Sequence, residues 1–229
     1  IGMFYDLEDP SKFIFDAANS LDENGVFIAQ LMCLNSMIKK NDLGNICHEH
    51  LEFYSYSSLK FLFERNGFKI MKIEENEING GSYRIFCKKI IKKSISYKEK
   101  TSLKDINKFI ERVKQNKKKC LSFLKDCKIK GEKVFIYGAS TKGNTLLQYY
   151  GINSKMISFA AERSPEKWGK YTIGSGVKII SEDKARKLNP KYFFVMPYAF
   201  IKEFINREKK WLKKGGKFIL PYPTFKVLK

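Results

Sequence analysis

Both histidines of this 229-residue chain stand in one hexapeptide, Asn45-Ile46-Cys47-His48-Glu49-His50, on either side of a carboxylate. Three chemistries use residues of these types. A zinc-protease helix needs His-Glu-x-x-His, which brings two imidazoles to one face four residues apart; the spacing of two excludes it. On an extended segment residues two apart share a face, so His48 and His50 can in principle chelate a metal. Cys47, the remaining ligand type nearby, then points the other way, and the sequence is read as having no metal site. General base work needs one imidazole, which titrates near neutrality, and a neighbour to hold its tautomer. The plain alternative is a histidine pair that only orients a loop.

A second stretch has the order strand, glycine turn, helix, strand. Lys133-Val134-Phe135-Ile136-Tyr137 leads into Gly138-Ala139-Ser140-Thr141-Lys142-Gly143, a helix is expected from Asn144 to Tyr150, and Met156 to Ala161 reads as the next strand. This resembles a dinucleotide-binding fingerprint in which Ser140 replaces the middle glycine. Backbone amides at the helix start suit a phosphate, and Lys142 adds positive charge there. Glu162, 24 residues after Gly138, stands near the place of a ribose-binding acid. A Walker A loop needs lysine where Asn144 stands, and a nucleophile elbow needs glycine where Lys142 stands. A bare tight turn is the competing reading.

The elements that must position these residues follow from punctuation and period. Asp9-Pro10 opens a helix to about Leu21, closed by Asn24-Gly25. Val26 to Met32 is a short apolar run suited to a buried parallel strand, with the histidines in the loop after it. Ser57 to Gly67 has a serine start and a glycine stop. Lys69 to Glu75 and Tyr83 to Lys89 alternate as two strands around Asn79-Gly80-Gly81-Ser82. An α/β segment ending in two such strands matches the end of a class I methyltransferase sheet, whose last strand inserts antiparallel. Residues 91–130 are lysine-rich with helical spacing, a bridging helix or two. Tyr192 to Met196 and Lys217 to Leu220 are further strands, ended by Pro197-Tyr198 and Pro221-Tyr222-Pro223 at the expected ligand edge.

With 43% hydrophobic residues the chain can build one large domain or two small ones. Lys and Arg number 44 against 24 Asp and Glu, a net charge of +20. The excess is scattered lysine without an arginine cluster or interleaved aromatics, so it reads as a solvated surface that favours anionic small molecules over nucleic acid. Five cysteines form no C-x-x-C pair, which points to a reducing cytoplasm. No apolar run is long enough to span a membrane, and no signal peptide is seen. The first residue is isoleucine, and a piece of a longer protein is expected.

Taken in order, CHEHLEFYS, NGGSYRIF, YGASTKGNTLLQYYGI, ERSPEKWGKYTIGSGVKI and GGKFILPYP resemble the SAM-dependent sugar C-methyltransferase family, whose members modify keto-deoxysugar nucleotides. The resemblance covers nearly the whole chain. It implies a nucleotide sugar or another anionic carbonyl compound as substrate, S-adenosyl-L-methionine as cofactor, and zinc only in an N-terminal region that this sequence lacks. Half of a cofactor site is then expected here, with Phe4, Tyr5 and Gln30 on the cofactor side. His50 matches the base that removes a proton next to the keto group, with Glu49 and His48 tuning it. Many members carry tyrosine where this chain has Cys47. Substrate contacts are expected from Tyr54, Gly80, Gly81, Ser82 and Arg84, and in the second half from Gly138, Ser140, Lys142, Gly143, Asn144, Glu162, Arg163, Tyr171, Tyr198 and Tyr222.

The expected fold is α/β: a partial class I methyltransferase Rossmann sheet over 1–90, a helical bridge over 91–130 and a second Rossmann-like domain over 131–229. Two other readings stand beside methyl transfer. One is an NAD(P)-dependent oxidoreductase, resting on Gly138 to Glu162. The other is a non-catalytic nucleotide-sugar-binding chain.

Overall fold

The computed structural model describes residues 1–89, 92–98 and 101–228. Ile90 and Ile91, the expected boundary between the first domain and the bridge, and Lys229 lie outside the described residues. The chain divides into two compact units, one of Ile1–Lys40 and His48–Asn107, the other of Asn41–Cys47 and Lys108–Lys229.

The first unit opens with α1, Pro10–Ser20, whose N-cap Asp9 accepts the Lys12 amide at 2.9 Å while Pro10 takes the first helical position. Then come β1 (Phe27–Met32), α2 (Leu34–Lys39), α3 (Tyr56–Arg65), β2 (Lys69–Asn76) and β3 (Ser82–Lys88). The sheet order is β1-β3-β2, with β3 antiparallel to both neighbours. The last of the three strands in sequence thus lies between the other two. β1 departs from expectation: it pairs antiparallel with β3, because an apolar run fixes burial and not strand direction. α3 also starts earlier than its serine pair predicts. Ser55 is the cap, and its side chain and that of Ser58 each accept the other's amide, at 3.2 and 3.0 Å.

The lysine-rich stretch forms one helix, α4, Leu103–Ile129. Phe109, Val113, Asn116, Cys120, Leu124 and Cys127 recur at a 3.6-residue period and form its buried stripe; the lysines are solvated. The second unit takes this helix from Lys108 onward. There follow β4 (Val134–Tyr137), α5 (Thr141–Tyr150), β5 (Phe159–Glu162), β6 (Lys178–Ser181), α6 (Glu182–Lys187), β7 (Tyr192–Val195), α7 (Ile201–Arg207), α8 (Lys209–Lys213), β8 (Lys217–Leu220) and β9 (Lys226–Leu228).

The strand order is β6-β5-β4-β7-β8-β9, parallel except for β9. β4 and β7 are buried at every position, which is why they read as unbroken apolar runs. Between them Tyr137, Phe193, Phe204, Trp211 and Phe218 build an aromatic core with ring centroids 4.5–6.4 Å apart. Full burial of each such ring contributes about 1.5–3 kcal/mol. Chain order reverses between β4 and β7, so the crevice of this unit opens at their carboxyl ends. Among the described residues no helix is long and apolar enough to cross a membrane.

Candidate functional site

The histidine loop belongs to two units. Asn41–Cys47 packs in the second, and His48 returns to the first. Between β1 and this loop lies α2, which sequence punctuation conceals because its N-cap is Cys33, whose sulfur accepts the Ser36 amide at 3.5 Å. His48 and Glu49 are exposed, and His50 is half-buried. The His50 ring meets Tyr5 edge to face, centroids 4.6 Å apart. The Tyr5 carbonyl accepts the amides of Leu51 and Glu52 at 2.9 and 3.2 Å, which fixes the loop on that residue. Leu34 donates its amide to the Tyr54 carbonyl at 3.2 Å, so the chain after His50 comes back to the carboxyl end of β1. The Tyr54 hydroxyl and the Asn35 amide nitrogen are buried there and make no hydrogen bond among the described residues. Burial, aided by the Glu52 charge, pushes the Tyr54 hydroxyl well above the usual phenol range.

The other expected residues of this unit have structural partners. Phe4 is buried in the core against Phe13, Tyr54 and Phe63. Gln30 accepts from Arg84 at 3.0 and 2.7 Å across the β1–β3 ladder, and Arg84 also faces Glu74 at 3.8 Å. Of the three cofactor-side residues, Tyr5 alone stands beside His50; the other two side chains are engaged in packing and in the sheet. The loop before β3 docks on α2: the Gly80 carbonyl accepts from Lys40 at 2.8 Å, the Gly81 carbonyl accepts the Cys33 amide at 3.2 Å, and Ser82 donates to the Ile78 carbonyl at 2.9 Å. Gly81 has φ 130°, and a Cβ there would lie 2.3 Å from Ser36 Cβ.

In the second unit the crevice is a cleft of ≈ 310 Å³ lined by Gly138, Ala139 and Ser140 after β4, Glu162 and Arg163 after β5, and Pro197 and Phe200 after β7. Glu162 holds the turn together. Its Oε2 accepts the Ala139 amide at 2.8 Å, and its Oε1 accepts the amides of Arg163 and Ser164 at 2.8 and 3.0 Å. In the cleft wall Glu182 pairs with Arg186 at 2.8 Å and with Arg207, which also lines the cleft. Arg186 also reaches the fully buried Glu208, which accepts the Tyr137 hydroxyl at 2.6 Å.

α5 begins at Thr141, three residues earlier than expected, because Ser140 is its N-cap and accepts the Gly143 amide at 3.1 Å. Ser140 Oγ and its carbonyl, which takes the Asn144 amide at 3.2 Å, therefore use amides expected to face a phosphate. A Cβ at Gly44 would stand 2.9 Å from Lys142 Cβ, and one at Gly143 would stand 2.8 Å from Met196, so both glycines serve close packing. Lys142, Gly143 and Asn144 are absent from the cleft lining. Tyr222 donates to the Met196 carbonyl at 2.9 Å and meets the Tyr198 ring at a tilt of 50°, and Tyr171 is exposed beside β6; none of these three lines the cleft.

Sequence reading overlooked Lys167, Phe200, Glu203 and Arg207 as lining residues. Phe200 had a local signal, since it follows the Pro197-Tyr198 strand end, and Lys167 stands within the motif that opens at Glu162; Glu203 and Arg207 reach the cleft from α7 without a motif. Among the described residues no group of three or more His, Cys, Asp or Glu side chains is placed to hold a metal ion.

Fold and site together define a two-unit α/β chain, with a histidine loop at a strand end in one unit and a doubly wound parallel sheet in the other. Residues 77–223 match the family described as C-methyltransferase C-terminal domain, and the chain belongs to that family. It is 25% identical over 237 residues to the C-methyltransferase NovU of Streptomyces niveus, an alignment covering 98% of this chain and 56% of that protein. The chain thus spans about half the length of the curated relative it matches.

Proposed function

We propose that this chain is the C-terminal portion of a SAM-dependent C-methyltransferase that acts next to the keto group of a nucleotide-linked deoxysugar or a similar carbonyl substrate. The observation that carries the reading is the family match over 77–223, joined to a relative named as a C-methyltransferase along nearly the whole chain. Further support comes from the β1-β3-β2 order, the arrangement that closes a class I methyltransferase sheet.

The chemistry asks for three things. A carbon beside a ketone becomes nucleophilic only as an enolate, so a base must take its proton. His50, half-buried with its ring against Tyr5, is the proposed base, and that packing supports the reading. The developing enolate oxygen needs a donor. The Tyr54 hydroxyl and the Asn35 amide, buried without hydrogen bonds among the described residues, are polar atoms that a bound ligand would satisfy. S-adenosylmethionine, when bound, supplies an electrophilic methyl group, and Tyr5, beside His50, is the side chain that would line its place. The remaining requirement is alignment of carbon and methyl, which is a matter of positioning.

The test is methyl transfer by the protein that carries this chain, with isotope-labelled S-adenosylmethionine and a panel of nucleotide-linked keto-deoxysugars. Label in a carbon-bound methyl group, read by mass spectrometry and NMR, supports the reading. Label on oxygen, or none with any keto sugar, refutes it.

A further inference from the structure

Just before the histidines the chain buries polar side chains. Asn41, Asp42 and Asn45 are 4, 6 and 2% exposed, within a run in which every residue from Asn41 to Asn45 is buried. Burial of an amide or a carboxylate stabilises nothing by itself, and apolar side chains would fill the same space more favourably. What a satisfied polar network adds is a single arrangement, because only one geometry meets all of its donors and acceptors.

Asn41 is the hub of this network. Its Oδ1 accepts Arg112 Nε from α4 at 2.8 Å, and its Nδ2 donates to the Pro223 carbonyl at 2.5 Å. The same carbonyl accepts Asn116 Nδ2 at 2.9 Å, and Asn116 Oδ1 takes the Phe225 amide at 3.1 Å, so the partners are themselves held. From Asn41 the fixed geometry runs toward the histidines. The Asn41 carbonyl accepts the Leu43 amide at 2.9 Å, Asn45 Nδ2 donates to Asp42 Oδ2 at 2.9 Å, and the Leu43 carbonyl accepts the Ile46 amide at 2.9 Å. Gly44 in this turn packs on α5, where a Cβ would meet the Lys142 carbonyl at 2.9 Å. All of these partners belong to the second unit, and His50 follows Ile46 by four residues. Beyond His50 the loop is fixed in the first unit, by the Tyr5 carbonyl.

We propose that Asn41 is a positioning residue for His50, and that its bridge between Arg112 and Pro223 fixes the stretch of chain that carries the imidazole. The role rests on the methyl-transfer reading, in which His50 takes a proton. Such a step tolerates little displacement: a misplacement of about 1 Å can cost on the order of 10²-fold in rate. Asn41 also follows α2 with φ 51°, in the left-handed region that glycine adopts as readily. Asn41→Gly therefore removes the two side-chain bonds and leaves the backbone unstrained.

The experiment reads placement and rate separately. In the 229-residue chain, isotope-labelled at histidine, His48→Gln tells the NMR ring signals of His48 and His50 apart. Asn41→Gly should move and broaden the His50 signal. Arg112→Met should do the same, and Arg112→Lys, which keeps a donor, should bring the signal most of the way back. In the enzyme carrying this chain, exchange of the substrate's α-hydrogen should fall about 10- to 100-fold in Asn41→Gly, with KM held within about twofold. In a His50→Asn background Asn41→Gly should have no further effect, since it acts through the imidazole; a merely structural role lowers the rate in both backgrounds. An unmoved His50 signal, an unchanged exchange rate, or an additive effect with His50→Asn would each overturn the proposal. A parent enzyme without α-hydrogen exchange counts against the base reading alone, and the His50 signal still decides this proposal.

Discussion

Arg186 grips Glu208 with two nitrogens, Nε at 3.1 and 3.0 Å from the carboxylate oxygens and Nη2 at 2.6 Å from one of them. The carboxylate is buried under the cleft and also accepts the Tyr137 hydroxyl, whose pKa is raised by burial and by that bond. Glu208→Ala leaves the hydroxyl and one face of the guanidinium without an acceptor. Breaking a buried pair costs about 3–5 kcal/mol; because Arg186 keeps Glu182 and Asp183, a loss of about 2–3 kcal/mol is expected, with a smaller loss for Glu208→Gln. Urea unfolding of the two variants checks the order.

Stability should fall at alkaline pH. Burial pushes the Cys87 and Cys120 thiols up to about 12 from an ordinary 9.0. The folded state therefore holds these protons more tightly than the unfolded state does. Their contribution is full below pH 9.0 and is lost as pH rises toward about 12. Melting temperature followed from pH 7 to 11 should be flat at first and then decline, and Cys120→Ala should make the decline shallower.

Thiol labelling gives a second readout. Cys33, Cys87, Cys120 and Cys127 are buried, while Cys47 is partly open beside the histidines. At neutral pH one thiol should react quickly with an aromatic disulfide reagent, and Cys47→Ser should abolish that fast phase.

Gly81→Ala should disturb the loop before β3 from two causes at once. Its φ of 130° is costly for any residue with a side chain, and the new methyl group would meet Ser36. A destabilisation of about 1–3 kcal/mol is expected, with faster hydrogen exchange at the Cys33 amide that bonds its carbonyl. An unchanged exchange rate would show that the loop does not depend on this glycine.

What was legible in the sequence has identifiable physical causes. The runs 134–137, 192–195 and 217–220 lie in a parallel sheet covered on both faces, and such strands announce themselves as apolar blocks. α1 showed its Asp9-Pro10 start plainly. α2 was hidden because cysteine is a rare cap, and β6 and β9 because four and three residues carry too little pattern. The glycine turn was visible, but Ser140 looked like a lost glycine when it is the cap of α5. Nothing local reveals that Glu162 reaches back to the Ala139 amide, since that contact joins two strand ends 23 residues apart. The histidine cluster was visible from composition alone, whereas its neighbour Tyr5 comes from 45 positions earlier.

The proposed step at His50 is removal of the proton beside the ketone. Its most direct measurement is exchange of the substrate's α-hydrogen in deuterated water, which reports proton removal apart from methyl transfer. In the enzyme carrying this chain, His50→Asn keeps some hydrogen-bonding capacity and removes the basic nitrogen. Exchange should slow by about 10²–10⁴ while substrate binding survives. Exchange as fast as in the parent would assign the base to another residue and leave His48 and His50 as loop-orienting groups.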